Sequence, residues 1–242
     1  MKIVNYNELK ELKFLGSGRY SYTSIVEFND DFYCFKRFKT IYDDDVINRL
    51  SDMTEKSFDK HFITPLYMVL DKNSKMIGYL SAYYGNLFEM KDTLTYEEQI
   101  NIIKSAKDNI EILHNEYNRI HGDLHYDNIL CDKKKLKAYL LDFDLSMNIG
   151  QEPKTFNNYT LAVQNYLKYY PFDVNVDKYH FNLCTIHYLA KYYQPFEDLI
   201  KSLVESMDIP EINEDVKRLT KELLLSDTRK PYSGEYIIDY IG

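Results

Sequence analysis

The sequence predicts an α+β fold with two lobes: a small N-terminal antiparallel sheet that carries one helix, and a larger, mainly helical C-terminal lobe. In the first third of the 242-residue chain, short aromatic and β-branched runs alternate with polar turns, a pattern that is typical of paired strands. From Thr95 onward, apolar residues recur at helical spacing instead. We place the division after the last strand-like run, which gives an N-terminal lobe, residues 1–83, and a C-terminal lobe, residues 84–242.

The N-terminal lobe begins with a turn that contains two glycines, Gly16 and Gly18, between strand-like runs. Two hairpins are predicted after it, with strands at Ser24–Phe28, Phe32–Phe38, Leu66–Leu70 and Lys75–Tyr83. Between the hairpins, acidic residues from Asp43 suit a helix start, and apolar residues at helical spacing continue to about Lys60. We therefore expect a sheet with one helix.

The C-terminal lobe begins with a long helix, and most of the remaining chain is helical in pattern. The apolar positions that predict the long helix are Ile100, Ile103, Ala106, Ile110 and Leu113. After Asp142, a loop rich in Asn and Thr runs to about Tyr159. Prolines interrupt the helical pattern that follows, at Pro171, Pro195, Pro210 and Pro231.

Charge and composition narrow the classes of partner and compartment. The formal net charge of −8 disfavours nucleic acid and an anionic membrane as principal partners. No apolar run approaches the roughly 20 residues that a membrane span needs, and the N-terminus lacks the apolar core of a signal peptide. Three widely separated cysteines, Cys34, Cys131 and Cys184, favour a reducing compartment. We expect a cytoplasmic protein, or one in a host cytosol if the chain is viral or an injected effector.

Two short motifs are the strongest functional signal. In the first, Asp123 precedes Asn128 by five residues, and an apolar pair follows Asn128. In the second, fourteen residues further on, Asp142 opens the sequence Asp-Phe-Asp after two leucines. A phosphoryl-transfer enzyme needs one carboxylate beside the attacking hydroxyl, and an amide with a second carboxylate to hold metal on the nucleotide. These motifs resemble the catalytic loop and the metal-binding loop of the protein-kinase-like superfamily.

The resemblance implies a two-lobed protein-kinase-like fold that binds ATP with Mg²⁺, or with Mn²⁺ in its place. It implies that Asp123 orients the substrate hydroxyl and accepts its proton, and that Asn128 and Asp142 coordinate the metal. Lys36, a lysine inside an apolar strand, corresponds to the lysine that contacts the α- and β-phosphates. Glu55, nineteen residues later on the predicted helix, is the expected carboxylate partner of Lys36.

The resemblance also assigns residues to the nucleotide. Besides Lys36 and Glu55, these residues are Gly16, Ser17, Gly18, Ser21, Thr23, Cys34, Tyr79, Leu80, Ala82 and Leu130. The two glycines let the backbone approach phosphate oxygens closely, and Ser21 stands where the family has a third glycine. The backbone from Leu80 to Ala82 is expected to meet the adenine edge, with Tyr79 behind it.

Three positions depart from the pattern of regulated protein kinases. Gly122 replaces the usual arginine before Asp123, so we expect activity without loop phosphorylation. His125 replaces the usual lysine. Together with Gly122 it resembles aminoglycoside, choline and related small-molecule kinases, and some divergent bacterial and viral protein kinases. Asp144 replaces the last glycine of the metal-binding loop.

Two later segments extend the resemblance. Asp177 opens a segment that resembles the start of the helix that anchors the catalytic loop in protein kinases, and a plain helix N-cap is the alternative for it. Leu225–Pro231 resembles a shortened Asp-Pro…Arg-Pro signature. The Ala-Pro-Glu segment of the family has no counterpart near Val163–Asn165, which weakens the case for peptide docking.

Four functions are compatible with these residues. The first is an ATP-dependent protein kinase of Ser/Thr type, and the second is a kinase of small alcohols such as aminoglycosides, choline or sugars. The third is a pseudokinase, which binds ATP without turnover. The fourth is a two-metal phosphoesterase, suggested by Gly-Asp-x-His at Gly122–His125, but the other histidines form no paired ligand motif. We expect the first, and the sequence carries no signal for an oligomeric state.

Overall fold

The structure, a computed structural model, describes residues 1–40, 44–90, 94–152, 171–193, 214–225 and 234–241. The chain divides into two compact units. The first comprises Met1–Asn86 together with Leu141–Asp144, and the second comprises Leu87–Leu140 together with Leu145–Gly242. The Asp-Phe-Asp motif therefore belongs to the first unit, whereas the sequence-based division at residue 83 left it in the second.

The first unit contains a six-stranded sheet and one helix. Its elements in chain order are β1 (Ile3–Asn5), β2 (Lys10–Ser17), β3 (Ser21–Phe28), β4 (Asp31–Phe38), α1 (Asp44–Met53), β5 (Phe62–Ile63), β6 (Pro65–Leu70) and β7 (Met76–Ala82). The strand order across the sheet is β1-β6-β7-β4-β3-β2, and all pairs are antiparallel except β1 with β6. The two predicted hairpins are confirmed as β3–β4 and β6–β7.

Local chemistry explains the β3–β4 hairpin. Its turn residues Asn29 and Asp30 adopt the left-handed backbone conformation, with φ of 52° and 64°. Asn and Asp tolerate this conformation, and tight hairpin turns favour it because their twist then matches that of the strands. The resulting register places Lys36 of β4 opposite Thr23 of β3, and so fixes the position of Lys36 in the sheet.

Apolar side chains cover both faces of this sheet. One buried cluster comprises Val4, Val26, Phe28, Phe35, Val69 and Leu80. In a second cluster, Val46 and Leu50 of α1 pack against Met68 and Tyr79 of the sheet. Neighbouring residues of a strand point to opposite faces, so Tyr79 and Leu80 serve different clusters. Each fully buried side chain of this size contributes roughly 1.5–3 kcal/mol to folding.

Helix α1 is shorter than the sequence predicts. The predicted helix continues past Glu55, but α1 ends at Met53. The hydroxyl of Thr54 donates to the carbonyl oxygen of Ser51 (2.7 Å) and accepts from the backbone N–H of Lys2 (3.2 Å). A side chain that competes in this way for backbone groups favours the end of a helix. Glu55 therefore lies beyond α1.

Within the described residues, the second unit has three helices and several short strands. Its elements are β8 (Phe88–Glu89), α2 (Tyr96–Asn115), β9 (Arg119–Ile120), β10 (Ile129–Asp132), β11 (Lys137–Leu141), β12 (Met147–Asn148), α3 (Val174–Tyr193) and α4 (Glu214–Leu225). Strand β10 pairs with β8 and β11, and β9 pairs with β12, all antiparallel. The predicted long helix is confirmed as α2. It begins at a capping box, in which Thr95 and Glu98 each accept the other's backbone N–H (3.2 and 2.8 Å).

The predicted fold class, an α+β two-lobed protein-kinase-like fold with a mainly helical C-terminal lobe, is wrong. The structure is a mixed α/β fold with three sheets, of six, four and two strands, and with four α-helices among the described residues. Of the residues that the structure describes, strand accounts for 31% and helix for 37%. The N-terminal sheet is not purely antiparallel, because β1 runs parallel to β6. Several strands of the second unit have only two residues, too few for an alternating pattern to reveal them in the sequence.

Some predictions fall on residues 153–170, 194–213 and 226–233, which lie outside the described part of the chain. They include the loop to Tyr159, the segment near Val163–Asn165, and most of the Leu225–Pro231 motif. In the helices that the structure describes, none combines the length and the apolar character that crossing a membrane requires.

Candidate active site

The loop with the first motif lies in the second unit between β9 and β10, and includes a 3-10 turn at Tyr126–Asn128. A buried carboxylate, Asp177 in the first turn of α3, holds the start of this loop. Its oxygens accept hydrogen bonds from the backbone N–H of His121 (2.7 Å) and of Gly122 (2.8 Å). One of them also lies 2.8 Å from Nε2 of His114. Asp177 is therefore a loop anchor and not a plain N-cap.

Asp177 is held in its charged form. Burial by itself raises the pKa of this carboxyl, but the hydrogen bond with His114 and the charges of His114 and His121 outweigh burial, so that the pKa lies below its usual value. Hydrogen bonds from backbone N–H groups to an ionised carboxylate are roughly twice as strong as those between neutral groups. A neutral side chain of the same shape would therefore hold the loop less firmly.

The geometry of the loop requires glycine at position 122. Gly122 has φ of +81°, in the left-handed region that favours glycine. A Cβ at this position would lie 2.8 Å from the carbonyl oxygen of Leu145 and 3.2 Å from the ring of Phe172. An arginine cannot occupy this place unless the backbone moves. The departure from the arginine of protein kinases thus has a structural cause.

Two hydrogen bonds within the loop orient the amide of Asn128. Its Nδ2 lies 2.9 Å from the carbonyl oxygen of Asp123 and 2.9 Å from Nε2 of His125. A carbonyl oxygen can only accept, so the atom that faces Asp123 is the amide nitrogen, and Nε2 of His125 must accept as well. The amide oxygen, Oδ1, takes part in neither bond. Such an oxygen is a suitable ligand for Mg²⁺.

Asp123 lies half-buried in the same loop. Its backbone N–H donates to Nδ1 of His121 (3.3 Å), and its Oδ2 lies 3.8 Å from Nε2 of His125. That distance is too long for a hydrogen bond, and Nε2 of His125 already accepts from Asn128. The structure thus brings Asp123 and Asn128 together in one hydrogen-bonded loop. Leu130 follows on β10 and is half-buried.

In the first unit, Lys36 is paired with Asp142. The Nζ atom of Lys36, on β4, contacts Oδ1 of Asp142 and lies 2.9 Å from Oδ2 of Asp144. The hydroxyl of Tyr79 donates to Oδ1 of Asp144 at 2.8 Å. We refer to Lys36, Tyr79, Asp142 and Asp144 as the Lys36 cluster. Of these four residues, the sequence assigns Lys36 and Asp142 to catalysis and Tyr79 to the nucleotide. It assigns no role to Asp144.

The Lys36 cluster places one ammonium against two carboxylates. Burial lowers the pKa of Lys36, but the two carboxylates raise it well above its usual value, so the ammonium is charged. Burial raises the pKa of Asp144, the ammonium of Lys36 lowers it, and the net direction is upward. The raised pKa of Asp144 favours its protonated form, whereas the raised pKa of Lys36 depends in part on an ionised Asp144. Because both oxygens of Asp144 face donors, we infer that Asp144 is ionised at neutral pH.

Asp142 has an unusual backbone conformation. Its φ is +65°, in the left-handed region that residues other than glycine seldom adopt. Aspartate tolerates this conformation better than most residues do, as Asp30 does in the β3–β4 turn. The backbone at Asp142 therefore turns without a glycine.

The predicted ion pair between Lys36 and Glu55 does not form. Glu55 pairs with the N-terminal amine of Met1, and its side chain is 53% exposed. Because α1 ends before Glu55, the helix does not carry this carboxylate as predicted. Asp144 provides the second carboxylate of Lys36 instead.

Of the two glycines predicted to form a turn, Gly18 lies between β2 and β3, whereas Gly16 lies in β2 opposite Thr23. The N–H of Gly18 donates to the carbonyl oxygen of Ser21 (3.0 Å), and the ammonium of Lys39 donates to the hydroxyl of Ser17 (2.7 Å) and to the carbonyl of Gly18. A Cβ at Gly16 or Gly18 would meet no atom of the described residues within 4 Å. Neither position has a positive φ. Packing within the described residues therefore does not explain why both positions are glycine.

The remaining predicted nucleotide residues differ in how far they are available. The side chain of Leu80 is fully buried in the sheet core, so it could contribute only its backbone. Tyr79 is buried on the other face, against α1. Cys34 is partly buried, and burial raises the pKa of its thiol to about 11. Ala82 ends β7 and, with Glu55, lines a cavity of about 410 Å³ that does not include Lys36.

The described residues include oxygen donors of the kind that Mg²⁺ uses. Among the described residues, no three His, Cys, Asp or Glu side chains are grouped as metal ligands. Enzymes that act on nucleotides usually bind Mg²⁺ with one or two protein oxygens, and phosphates and water complete its shell. The carboxylate of Asp142 and the amide oxygen of Asn128 are each of this type. A two-metal phosphoesterase, which needs clustered ligands, gains no support.

Sequence reasoning missed the partners of several predicted residues. For Asp144 the sequence offers one signal, because it is a second aspartate two positions after Asp142 in an otherwise apolar segment. For Tyr79 and His114 it offers none, because 65 and 63 residues separate them from Asp144 and Asp177.

Comparison of the sequence with protein-family models and with curated proteins finds no match. The function therefore has to be inferred from the residues themselves.

Proposed function

We propose that this protein is an ATP- and Mg²⁺-dependent phosphotransferase that transfers the γ-phosphoryl group to a hydroxyl, and that its acceptor is a serine or threonine of a protein substrate. The observation that carries the proposal is the loop of the second unit, in which Asp123 and Asn128 are joined by a hydrogen bond and the amide oxygen of Asn128 remains available. A carboxylate close to a metal ligand is what transfer to a hydroxyl needs.

Each residue acts through position and charge. Asp123 orients the acceptor hydroxyl and takes its proton as the oxygen attacks phosphorus. Lys36, which its carboxylates keep charged, binds phosphate oxygens. Asp142 in the first unit and Asn128 in the second each carry an oxygen of the kind that Mg²⁺ prefers, and a bound Mg²⁺ would neutralise negative charge on the phosphates. No covalent intermediate on the protein is required, so positioning and electrostatics provide the rate enhancement.

The glycine turn supports the same function. The described residues leave open space around Gly16 and Gly18, and no side chain covers the backbone amides at these two positions. Backbone amides without flanking Cβ atoms can approach phosphate oxygens closely. A turn of this kind next to the strand of Lys36 is therefore suited to a nucleotide.

Two isosteric substitutions separate nucleotide binding from transfer. Asp142→Asn is expected to eliminate turnover of Mg–ATP, because it removes an ionised metal ligand. Asp123→Asn is expected to retain nucleotide binding and to lose transfer by about 10²–10⁴-fold. The matched control is Asp127→Asn, which removes an exposed carboxylate from the same turn and is expected to change neither property.

The measurements are transfer of labelled γ-phosphate to a protein panel and calorimetric binding of Mg–ATP. Chelation with EDTA is expected to abolish transfer, and added Mg²⁺ or Mn²⁺ to restore it. If Asp123→Asn transferred phosphate as fast as the parent protein, the role given to Asp123 would be wrong.

A second candidate is a kinase of small alcohols, of the aminoglycoside, choline or sugar type. His125 favours it, because this residue is hydrogen-bonded to Asn128 and, with Gly122, resembles the loop of such kinases. A panel of alcohol metabolites, tested beside the protein panel, separates the two candidates. Binding of Mg–ATP without transfer to either panel or to the protein itself would favour an ATP-binding pseudokinase module.

We also propose a cytoplasmic location, or a host cytosol if the chain is viral or an injected effector. All three cysteines, Cys34, Cys131 and Cys184, are free thiols, and burial raises the pKa of each. Such thiols suit a reducing compartment. The net charge of −8 favours a basic or neutral substrate over nucleic acid.

A further inference from the structure

The two carboxylates of the Lys36 cluster differ in how firmly each is held. The side chain of Asp142 is 31% exposed, whereas that of Asp144 is 7% exposed. Tyr79, itself buried, donates its hydroxyl to the Asp144 oxygen that does not contact Lys36. Both oxygens of Asp144 therefore face donors inside the first unit. Asp142 is the more accessible carboxylate, and its left-handed backbone sets its position.

We infer that Asp144 is the resident counter-ion of Lys36 and a positioning residue for phosphate binding, and that Tyr79 acts through Asp144. The inference rests on the proposed function, in which Asp142 binds a cation. If Asp142 were the only carboxylate beside Lys36, a cation bound to Asp142 would compete with the ammonium for that carboxylate and leave phosphate as the only other counter-charge. The side chain of Lys36 is only 15% exposed, and a buried charge without a partner is costly. Asp144 keeps the ammonium compensated and in place while Asp142 binds the cation.

This arrangement assigns the pairing of Lys36 to the Asp-Phe-Asp motif and not to helix α1. Asp144 lies two residues from Asp142, so the counter-ion of Lys36 and the proposed metal ligand belong to one short segment. A backbone conformation that positions one of them also positions the other. Glu55, the alternative partner, is engaged by the amine of Met1. Phosphate binding therefore does not require α1 to deliver a carboxylate to Lys36.

The test removes single groups without changing side-chain shape. Asp144→Asn is expected to weaken Mg–ATP binding about tenfold, measured by calorimetry, and to raise the KM for ATP more than it lowers kcat. Tyr79→Phe is expected to weaken binding about threefold, and the double variant about as much as Asp144→Asn alone, because Tyr79 acts through Asp144. Glu27→Gln, which breaks a surface ion pair with Lys10 on the same sheet, is the matched control.

Thermal unfolding without nucleotide separates this inference from the proposed function. Asp144→Asn leaves Lys36 with the more exposed carboxylate only, whereas Asp142→Asn leaves the buried pair intact. The unfolding midpoint is expected to fall by roughly 5 °C in Asp144→Asn and by less in Asp142→Asn. If the parent protein binds no Mg–ATP, the proposed function fails, and the order of the two midpoints still decides the counter-ion role.

A midpoint that falls further in Asp142→Asn than in Asp144→Asn overturns the counter-ion role. Three other outcomes also overturn the inference. The first is an Asp144→Asn variant with the midpoint and the Mg–ATP affinity of the parent. The second is an Asp144→Asn variant that transfers phosphate faster than the parent, since the contact would then be inhibitory. If Asp144→Asn does not fold, Tyr79→Phe is tested in its place. The third outcome is then a Tyr79→Phe variant that binds Mg–ATP as tightly as the parent protein.

Discussion

His180 is a buried imidazole on α3 that is expected to make the stability of this protein depend on pH. The residue is 3% exposed, and neither ring nitrogen has a hydrogen-bond partner among the described residues. Burial lowers the pKa of His180 to about 4; Asp177 raises it, and His125 and His121 lower it. The folded protein therefore keeps His180 neutral at pH values at which the unfolded chain protonates it.

The sign and size of the effect follow from proton linkage. Above the ordinary histidine pKa of about 6.5, His180 is neutral in both the folded and the unfolded chain, and its protonation does not lower the free energy of unfolding. As the pH falls from about 6.5 to about 4, only the unfolded state binds the proton, so the free energy of unfolding decreases. The slope approaches about 1.4 kcal/mol per pH unit, and the whole interval amounts to about 3 kcal/mol.

The assay is denaturant unfolding of the parent protein and of His180→Leu at several pH values between about 7 and 4.5, followed by circular dichroism. His180→Leu removes the titrating group and keeps an apolar side chain, so its stability is expected to fall less steeply with pH. His61→Gln, at a partly exposed site in the first unit, is the control for loss of an imidazole as such. Parallel pH profiles for the parent and His180→Leu would refute the reasoning.

Three further predictions concern the loop of the second unit and the glycine turn. Asp177→Asn is expected to lower the free energy of unfolding by about 3 kcal/mol, because it removes the charged group that accepts hydrogen bonds from the N–H groups of His121 and Gly122. A change within about 0.5 kcal/mol in denaturant unfolding would contradict the anchoring role. Gly122→Ala is expected to cost about 2 kcal/mol or more, since both its φ and the nearby carbonyl of Leu145 oppose a Cβ. Gly18→Ala is expected to change the free energy of unfolding by less than about 0.5 kcal/mol and to weaken Mg–ATP binding. Equal losses of stability in Gly122→Ala and Gly18→Ala would contradict this distinction.

Structure that depends on neighbouring residues is predictable from this sequence. The Asn29–Asp30 turn and the capping box of Thr95 and Glu98 each involve groups a few residues apart, so their residue types suffice to predict them. The end of α1 was not predictable in the same way. It involves a hydrogen bond from the backbone of Lys2 to Thr54, and helical spacing of apolar residues carries no information about a contact across 52 residues.

The order and spacing of Asp123, Asn128 and Asp142 predict the chemistry of the proposed site, because residue type defines what each side chain can donate, accept or coordinate. The partners of these residues are a property of the folded chain. Asp142 reaches Lys36 across 106 residues, and Asp144 takes the place that the sequence predicts for Glu55. The carboxylate that pairs with a buried lysine depends on where helices end and on which side chains become buried. Hydrophobic periodicity carries no information about either. Burial then gives these pairings their energetic weight, since an uncompensated charge is costly only away from water.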